Sequence, residues 1–312
     1  MKNVSLIIMC VLLTGCQAAI KKTNPTAVKT EIALTPSAVV AQSTASEWRL
    51  LDDENTLYMR LDSGTVIIEL LPQLAPSHVK NTKALVRQGV FDNSNFYRVI
   101  DGFVAQGGPM FESEADMKPL QQGQYSVPSE LTANIDFGQD YISFDRQDGY
   151  ADETGFFHSF PIGRNLSSGE SWLLHCYGAL GMGRANELDS GGTELYIVNG
   201  HAQRYLDRNV TVFGRVIDGM PHIQALKRGN DLNGAIDLTG QNMIKSIQVA
   251  SDLPTTELLP IEIMDSNSKS FAQLLEARRN RSGEWFVYQH DYMDACGVPI
   301  PLRLRKPQSE GK

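Results

Sequence analysis

The stretch Phe96-Tyr97-Arg98-Val99-Ile100-Asp101-Gly102-Phe103-Val104-Ala105-Gln106-Gly107-Gly108 decides how the rest of this chain is read. It sets a permanently charged planar donor, Arg98, a large aromatic, Phe103, and an amide, Gln106, at close spacing among apolar neighbours. Arginine does not deprotonate in proteins, so Arg98 offers fixed N–H forks rather than acid–base chemistry. Read as a strand, residues 96–100 alternate faces and put Phe96, Arg98 and Ile100 on one side. Asp101-Gly102 then turns the chain toward Phe103 and Gln106. An arginine beside an aromatic pocket suits an apolar ligand that carries carbonyl groups. A proline within a peptide is such a ligand.

Outward from this stretch, residues 56–61 and 65–70 flank Asp62-Ser63-Gly64, which is a hairpin signal. Residues 76–88 read as a helix, with Pro76 in its first turn and Gly89 as its stop. Val79, Lys83 (through its stem) and Val86 share one stripe of it. Residues 93–106 supply two strands, and more follow at 177–182, 194–198 and 210–216. A helix is predicted over 221–227 and a closing strand over 243–250. Residues 109–176 are less regular, with Gly, Asp and Ser clusters and aromatics at Tyr141, Phe144, Phe156, Phe157, Phe160 and Trp172. Loops this rich in aromatics pack on the body of a protein. After Pro254, Phe271, Leu274, Leu275 and Arg278 have helical spacing, and Trp285-Phe286-Val287-Tyr288 reads as a short strand-like run. Aromatic runs are more often buried than displayed, so this segment is expected to pack on the body rather than act as a partner-binding appendage.

The opening stretch resembles the signature of cyclophilins, the peptidyl-prolyl cis/trans isomerases. The likeness continues through Thr65-Val66-Ile67-Ile68-Glu69-Leu70, Ala75-Pro76 and Lys80-Asn81-Thr82-Lys83-Ala84-Leu85. It continues again in Gly192-Thr193-Glu194-Leu195-Tyr196-Ile197 and in Tyr205-Leu206-Asp207-Arg208-Asn209-Val210-Thr211-Val212-Phe213-Gly214-Arg215-Val216. Separate blocks in the family's order, over roughly residues 56–250, make the resemblance specific. It implies a mainly β fold: a closed eight-stranded antiparallel barrel capped by two helices. To this the chain adds an enlarged loop at about 110–176 and a C-terminal extension over 253–312, so that residues 48–252 form the cyclophilin-like domain.

The resemblance also assigns a site. Arg98 would donate near the prolyl nitrogen, Phe103 would floor the proline pocket, and Gln106 would orient Arg98 and bind the substrate backbone. Val104, Arg184, Glu194, Tyr196, Tyr205 and Leu206 would complete the peptide-binding surface. No cofactor or metal is implied. Several positions depart from the family pattern. Val104 replaces a common Met, Arg184 an Asn, Glu194 a Gln and Val210 a His, and Tyr205 stands where many members carry Trp. Glu194 is the most consequential, because a carboxylate there is expected to pair with Arg98, competing with substrate, or with Arg184, leaving Arg98 free. A non-catalytic proline-peptide-binding or chaperone module on the same fold is the alternative reading.

The 312-residue chain carries a formal charge of −8, which argues against non-specific nucleic-acid binding. Its N-terminus reads as a targeting segment, with Lys2 ahead of a short apolar run over 6–13. Leu13-Thr14-Gly15-Cys16 resembles a bacterial lipobox, which implies a signal peptide over 1–15 and a lipidated Cys16. Gln17 in the next position favours the periplasmic face of the outer membrane. Residues 16–47, rich in Thr, Ala, Ser and Pro, read as a disordered tether. In an oxidising compartment Cys176 and Cys296 are expected to pair, with two buried free thiols as the alternative. The six histidines (His78, His158, His175, His201, His222 and His290) show no metal-ligand spacing, and solvated or capping roles are expected for them. The expected partners are unfolded or extended polypeptides containing X-Pro bonds, and the membrane through the lipid anchor.

Overall fold

The computed structural model describes residues 34–111, 117, 119–144, 147–237, 240–281, 285–288 and 291–305. The signal segment, Cys16 and His290 lie outside these residues. In chain order the strands are β1 (Trp48–Leu50), β2 (Thr56–Leu61), β3 (Thr65–Leu70), β4 (Ser94–Val99), β5 (Val104–Gly108), β6 (Ala133–Asn134), β7 (Tyr141–Ser143) and β8 (Glu153–Phe157). They continue as β9 (Phe160–Arg164), β10 (Glu170–Leu173), β11 (Ala179–Met182), β12 (Leu195–Val198), β13 (Val212–Asp218), β14 (Met243–Val249), β15 (Ile261–Met264) and β16 (Leu302–Leu304). The α-helices are α1 (Pro36–Gln42), α2 (Pro76–Arg87), α3 (Met220–Gln224) and α4 (Lys269–Arg279).

Eight strands close into a barrel in the order β11-β12-β5-β4-β14-β2-β3-β13. Every neighbouring pair is antiparallel. Leu57, Met59, Val66, Ile68, Phe96, Val99, Leu180, Ile197, Phe213 and Ile247 fill the interior. Val79, Leu85 and Val86 of α2 and Ile223 of α3 belong to the same core, so these two helices close the barrel over apolar side chains. The N-cap of α2 is Ala75, which has no side-chain acceptor. Glu130 supplies one from afar, accepting from the backbone N–H groups of Ser77 and His78, both at 2.9 Å.

The barrel strands do not show the clean alternation of a half-solvated sheet, and the structure gives the reason. Runs such as Leu57-Tyr58-Met59, Val66-Ile67-Ile68 and Leu195-Tyr196-Ile197-Val198 are apolar on both faces because added elements cover much of the barrel's exterior. Tyr58 and Ile67 pack outward against Leu253, Ile261 and Ile263. Val104, Tyr196, Val198 and Val212 pack outward against Phe137, Phe157, Phe160, Ile162 and Leu173.

Those last residues belong to the enlarged loop, which is more regular than its sequence suggests. It holds a five-stranded antiparallel sheet, β6-β10-β9-β8-β7. The C-terminal extension forms a second small sheet, β1-β15-β16, which recruits Trp48–Leu50 from before the barrel. A second core joins these parts: Val39 of α1, Trp48, Phe156 and Trp172 of the loop, and Phe271, Leu274, Leu275 and Val298 of the extension.

Three expectations need correction. The disordered segment does not extend to residue 47. Thr35 caps α1 by accepting from the backbone N–H of Ala38, and buried Val39 anchors that helix in the second core. The aromatic run does not form a strand or pack inward: Trp285, Val287 and Tyr288 are exposed, whereas β15, one face of α4, Ala295 and Val298 are among the buried parts of the extension. His78 and His175 are buried rather than solvated, each with its ring Nδ1 against a carboxylate, Glu130 at 2.7 Å and Asp207 at 2.9 Å. Cys176, just after β10, is bonded to Cys296 in the extension, with their Cα atoms 5.0 Å apart.

Candidate active site

Arg98 on β4 lies across the ladder from Gln106 on β5, and Gln106 lies across from Tyr196 on β12. Ala105 and Ile197 point into the barrel, so Gln106 and Tyr196 point out. The alternation expected for residues 96–100 fails at a register shift between Asn95 and Arg98. The irregularity leaves Phe96 and Val99 both in the interior, and Tyr97 and Arg98 then reach the outer surface side by side. Ile100 lies beyond the end of the strand.

Arg98 is held at two points. Its Nε donates to the backbone carbonyl of Asn233 at 2.9 Å and its Nη1 donates to Gln106 Oε1 at 3.2 Å. The guanidinium carbon stands 5.7 Å from the centre of the Phe103 ring, within range of a cation–π contact. The Asn233 segment is pinned beside it: Val99 donates to the Gly234 carbonyl at 2.8 Å, and Gly229 donates to the Val99 carbonyl at 2.9 Å.

Gln106 continues the contacts inward. Its Nε2 donates to the Tyr97 hydroxyl at 3.0 Å, and that hydroxyl donates to Glu194 Oε2 at 2.5 Å. The Thr193 hydroxyl donates to the other carboxylate oxygen at 3.3 Å. Glu194 therefore pairs with neither Arg98 nor Arg184, contrary to expectation. Arg184 spends its guanidinium on backbone carbonyls, Asn209 at 2.9 and 3.0 Å, Ala185 at 2.8 Å and Asn186 at 3.2 Å. Burial raises the Glu194 carboxyl above its usual value, against the hydrogen bonds from Tyr97 and Thr193. Burial, and then the neighbouring Glu194 charge, push the Tyr97 hydroxyl far up, so it stays a proton donor.

The apolar side of the site is layered. Val104 and Tyr196 are buried in the cluster shared with the added sheet, and half-buried Phe103 and Val210 pack against it. Leu206 is half-buried on a short turn, and Tyr205 beside it is exposed. Tyr196 has room because Gly181 faces it; a Cβ at Gly181 would lie 2.2 Å from the tyrosine ring. Its hydroxyl lies 2.8 Å from His175 Nε2, and the two rings stack with planes 5° apart. His175 Nδ1 bonds Asp207, which accepts from Arg204 Nε at 2.6 Å, and Arg204 reaches Asp148 at 2.5 Å. This buried polar chain runs from the pocket wall into the added loop. Burial by itself would raise the Asp207 carboxyl, but the bonds from His175 and the Arg204 charge outweigh it and hold the group below its ordinary range.

The structure thus brings Arg98, Phe103, Gln106 and Tyr196 together, places Glu194 one bond further in, and turns Arg184 toward its own loop. Sequence reasoning missed Tyr97, Asn233 and His175. Tyr97 was visible beside Arg98 but hidden by the assumed alternation. Asn233 acts through its backbone, which leaves no side-chain signal. Among the described residues, no cluster of three or more His, Cys, Asp or Glu side chains is arranged to hold a metal ion.

Comparison with known proteins agrees with the fold. The family model for cyclophilin type peptidyl-prolyl cis-trans isomerase/CLD matches residues 56–249. A probable peptidyl-prolyl cis-trans isomerase of Brucella suis is 31% identical over 207 residues, covering 66% of this chain and 85% of that protein. Peptidyl-prolyl cis-trans isomerase B of Bacillus subtilis is 28% identical over 180 residues, 56% of this chain and 92% of that one. Among solved structures, cyclophilin AquaCyp293 from Hirschia baltica superposes with a TM-score of 0.67 at 25% identity, covering 88% of this chain and 99% of its own. That coverage extends well beyond residues 56–249, so the likeness takes in residues added to the barrel. The chain belongs to the cyclophilin-type family, and it is a peptidyl-prolyl cis/trans isomerase.

Proposed function

We propose that Arg98 drives isomerisation by donating to the prolyl amide as the X-Pro bond twists. Conjugation in the amide sets a barrier of about 18–20 kcal/mol, and a donor near the prolyl nitrogen weakens that conjugation only in the twisted state. The observation that carries this reading is the double hold on Arg98. With Nε on the Asn233 carbonyl and Nη1 on Gln106, the fork is oriented before substrate arrives, beside the Phe103 ring. A guanidinium has five N–H donors, so two bonds to protein leave others for substrate. Phe103, Leu206 and Val210, all half-buried, offer apolar surface to the proline ring.

The test is Arg98→Ala, assayed by NMR exchange on a short Ala-Pro peptide. Loss of one preorganised donor costs about 2.7–4 kcal/mol of barrier, roughly a 10²–10³-fold fall in rate. Full activity in the variant would refute the mechanism. The rival reading of a passive binding module is favoured if Glu194 occupies Arg98 or if the added loop covers the groove; Glu194 bonds Tyr97 and Thr193 instead, which speaks against the first of these grounds.

The same reading places the enzyme in the cell envelope, tethered to the outer membrane through a lipid on Cys16 and acting on extended X-Pro segments of envelope proteins. The lipobox-like Leu13-Thr14-Gly15-Cys16 supports this. So does the Cys176–Cys296 bond, because disulfides persist in oxidising compartments.

A further inference from the structure

We propose that Glu194 sets the direction of a hydrogen-bond relay, Glu194–Tyr97–Gln106–Arg98, and through it holds the Arg98 fork in its working orientation. The proposal rests on the role given to Arg98 above and deepens it. Glu194 and Tyr97 become positioning residues for the isomerisation, acting through Gln106 rather than by touching substrate.

The argument is one of donors and acceptors. An amide has one accepting end and one donating end, and a hydroxyl both gives and takes, so Gln106 and Tyr97 can each be turned either way. A guanidinium only donates, and an ionised carboxylate only accepts. With Arg98 at one end and Glu194 at the other, a single arrangement satisfies every link. Tyr97 donates to Glu194, Gln106 Nε2 donates to the Tyr97 oxygen, and Gln106 Oε1 is left to accept from Arg98. Turning the amide round would set N–H groups against the Arg98 Nη1 donor 3.2 Å away and deprive the Tyr97 oxygen of its donor. Unsatisfied groups in a part-buried site are costly.

A neutral side chain at position 194 removes the constraint. An amide or a protonated carboxyl there can donate to Tyr97. Tyr97 can then give its hydrogen to Gln106 Oε1, and Gln106 turns its amino group toward Arg98. The flipped amide is then opposed only by the Arg98 N–H and no longer by the Tyr97 end as well, so the orientation is held less firmly and Arg98 loses its fixed anchor for part of the time.

The surroundings suit this role. A Cβ at Gly108 would lie 2.8 Å from Glu194 Oε2, so the carboxylate is packed against bare backbone. The titratable and charged groups on the elements around it are few. Tyr97 and Arg98 stand on β4, β5 contributes none, and Arg184 after β11 is bound to the carbonyls of Ala185, Asn186 and Asn209. On β12, which begins just after it, Tyr196 turns away to His175. Among the described residues no cation pairs with Glu194. Burial raises its carboxyl above the ordinary 4.5, so it takes up a proton while an ordinary glutamate is still ionised. The relay then loses its direction on the acid side of neutrality.

The test uses the full chain, with Glu194→Gln, Tyr97→Phe, the double variant and Arg98→Ala. Exchange of an Ala-Pro peptide is measured at limiting and saturating concentrations from neutral to acidic pH. Each single variant is expected to lower kcat about tenfold, the scale of one positioning hydrogen bond, with KM nearly unchanged. The double variant should be no slower than the worse single one, because both break one chain. The acid limb of the wild-type kcat profile should be absent in Glu194→Gln. The Gln106 side-chain amide should give one pair of NMR signals in the wild type and signs of two orientations in Glu194→Gln. Wild-type kcat in Glu194→Gln, multiplying losses in the double variant, or an acid limb that persists in Glu194→Gln would overturn the relay. If that happens while Arg98→Ala is inactive, only the relay falls; an active Arg98→Ala takes both readings down.

Discussion

Asp207→Ala should be among the most destabilising single substitutions in the chain, and its size follows from what the carboxylate holds. The side chain is 2% exposed. It accepts from the His175 backbone N–H at 3.0 Å, from His175 Nδ1 at 2.9 Å, from Arg204 Nε at 2.6 Å and from Trp172 Nε1 at 3.3 Å. Truncation orphans these donors at once. Arg204 keeps Asp148, so its charge is not left wholly unpaired. Breaking a buried pair by removing one partner costs about 3–5 kcal/mol, and the expected loss falls in that range. Guanidinium denaturation followed by tryptophan fluorescence is the assay, since Trp172 bonds Asp207 directly. Asp207→Asn, which keeps one accepting oxygen, should fall between the variant and the wild type. The dependence on pH has a definite sign. The folded carboxyl lies below its ordinary value of 3.8, so as pH falls the unfolded chain binds this proton first. Its contribution is complete above the ordinary value, declines below it and is lost as pH falls through the lower folded value, so the gap between wild type and Asp207→Ala should narrow in acid. A loss under about 1 kcal/mol, with the denaturant slope unchanged, would refute the reasoning, because surface changes alone reach that size.

Two further outcomes are expected. Cys296→Ser should lower stability by up to about 4–5 kcal/mol in the chain-entropy model for a separation of 120 residues; a denaturation midpoint equal to the wild type would show that the bridge adds nothing. Cys16→Ser should move the protein from the membrane fraction to the soluble envelope fraction, and a variant still retained in membranes would defeat the proposed anchor.

The barrel was legible because its strands are long apolar runs bounded by turn residues, as at Asp62-Ser63-Gly64 between β2 and β3. Arg98, Phe103 and Gln106 were legible because they fall in one short stretch, and the ladder carries sequence proximity into space. The register shift at Asn95–Arg98 was not, since it leaves no residue signature, and it hid Tyr97. The added sheet was obscured because its strands run only two to five residues and are interrupted by Gly155 and Gly163. The run at Trp285 misled for another reason: aromatic composition says what burial would gain but not whether a surface is available to supply it.

The second core also has a consequence for the order in which the chain is made. Trp48 and Tyr58 leave the ribosome early, but part of their cover, Met264, Phe271, Ile261 and Ile263 on β15 and α4, lies beyond residue 260. The barrel strands are complete at Val249, some fifty residues before Val298 and Leu302 can dock. At about 5–20 residues per second that interval lasts roughly 3–10 s. During it a finished barrel presents Tyr58, Ile67 and the Trp48 ring to its surroundings without the part of their cover that β15 and α4 supply. An enzyme that acts on extended chains therefore passes through a stage in which it is itself a sticky, half-clothed one.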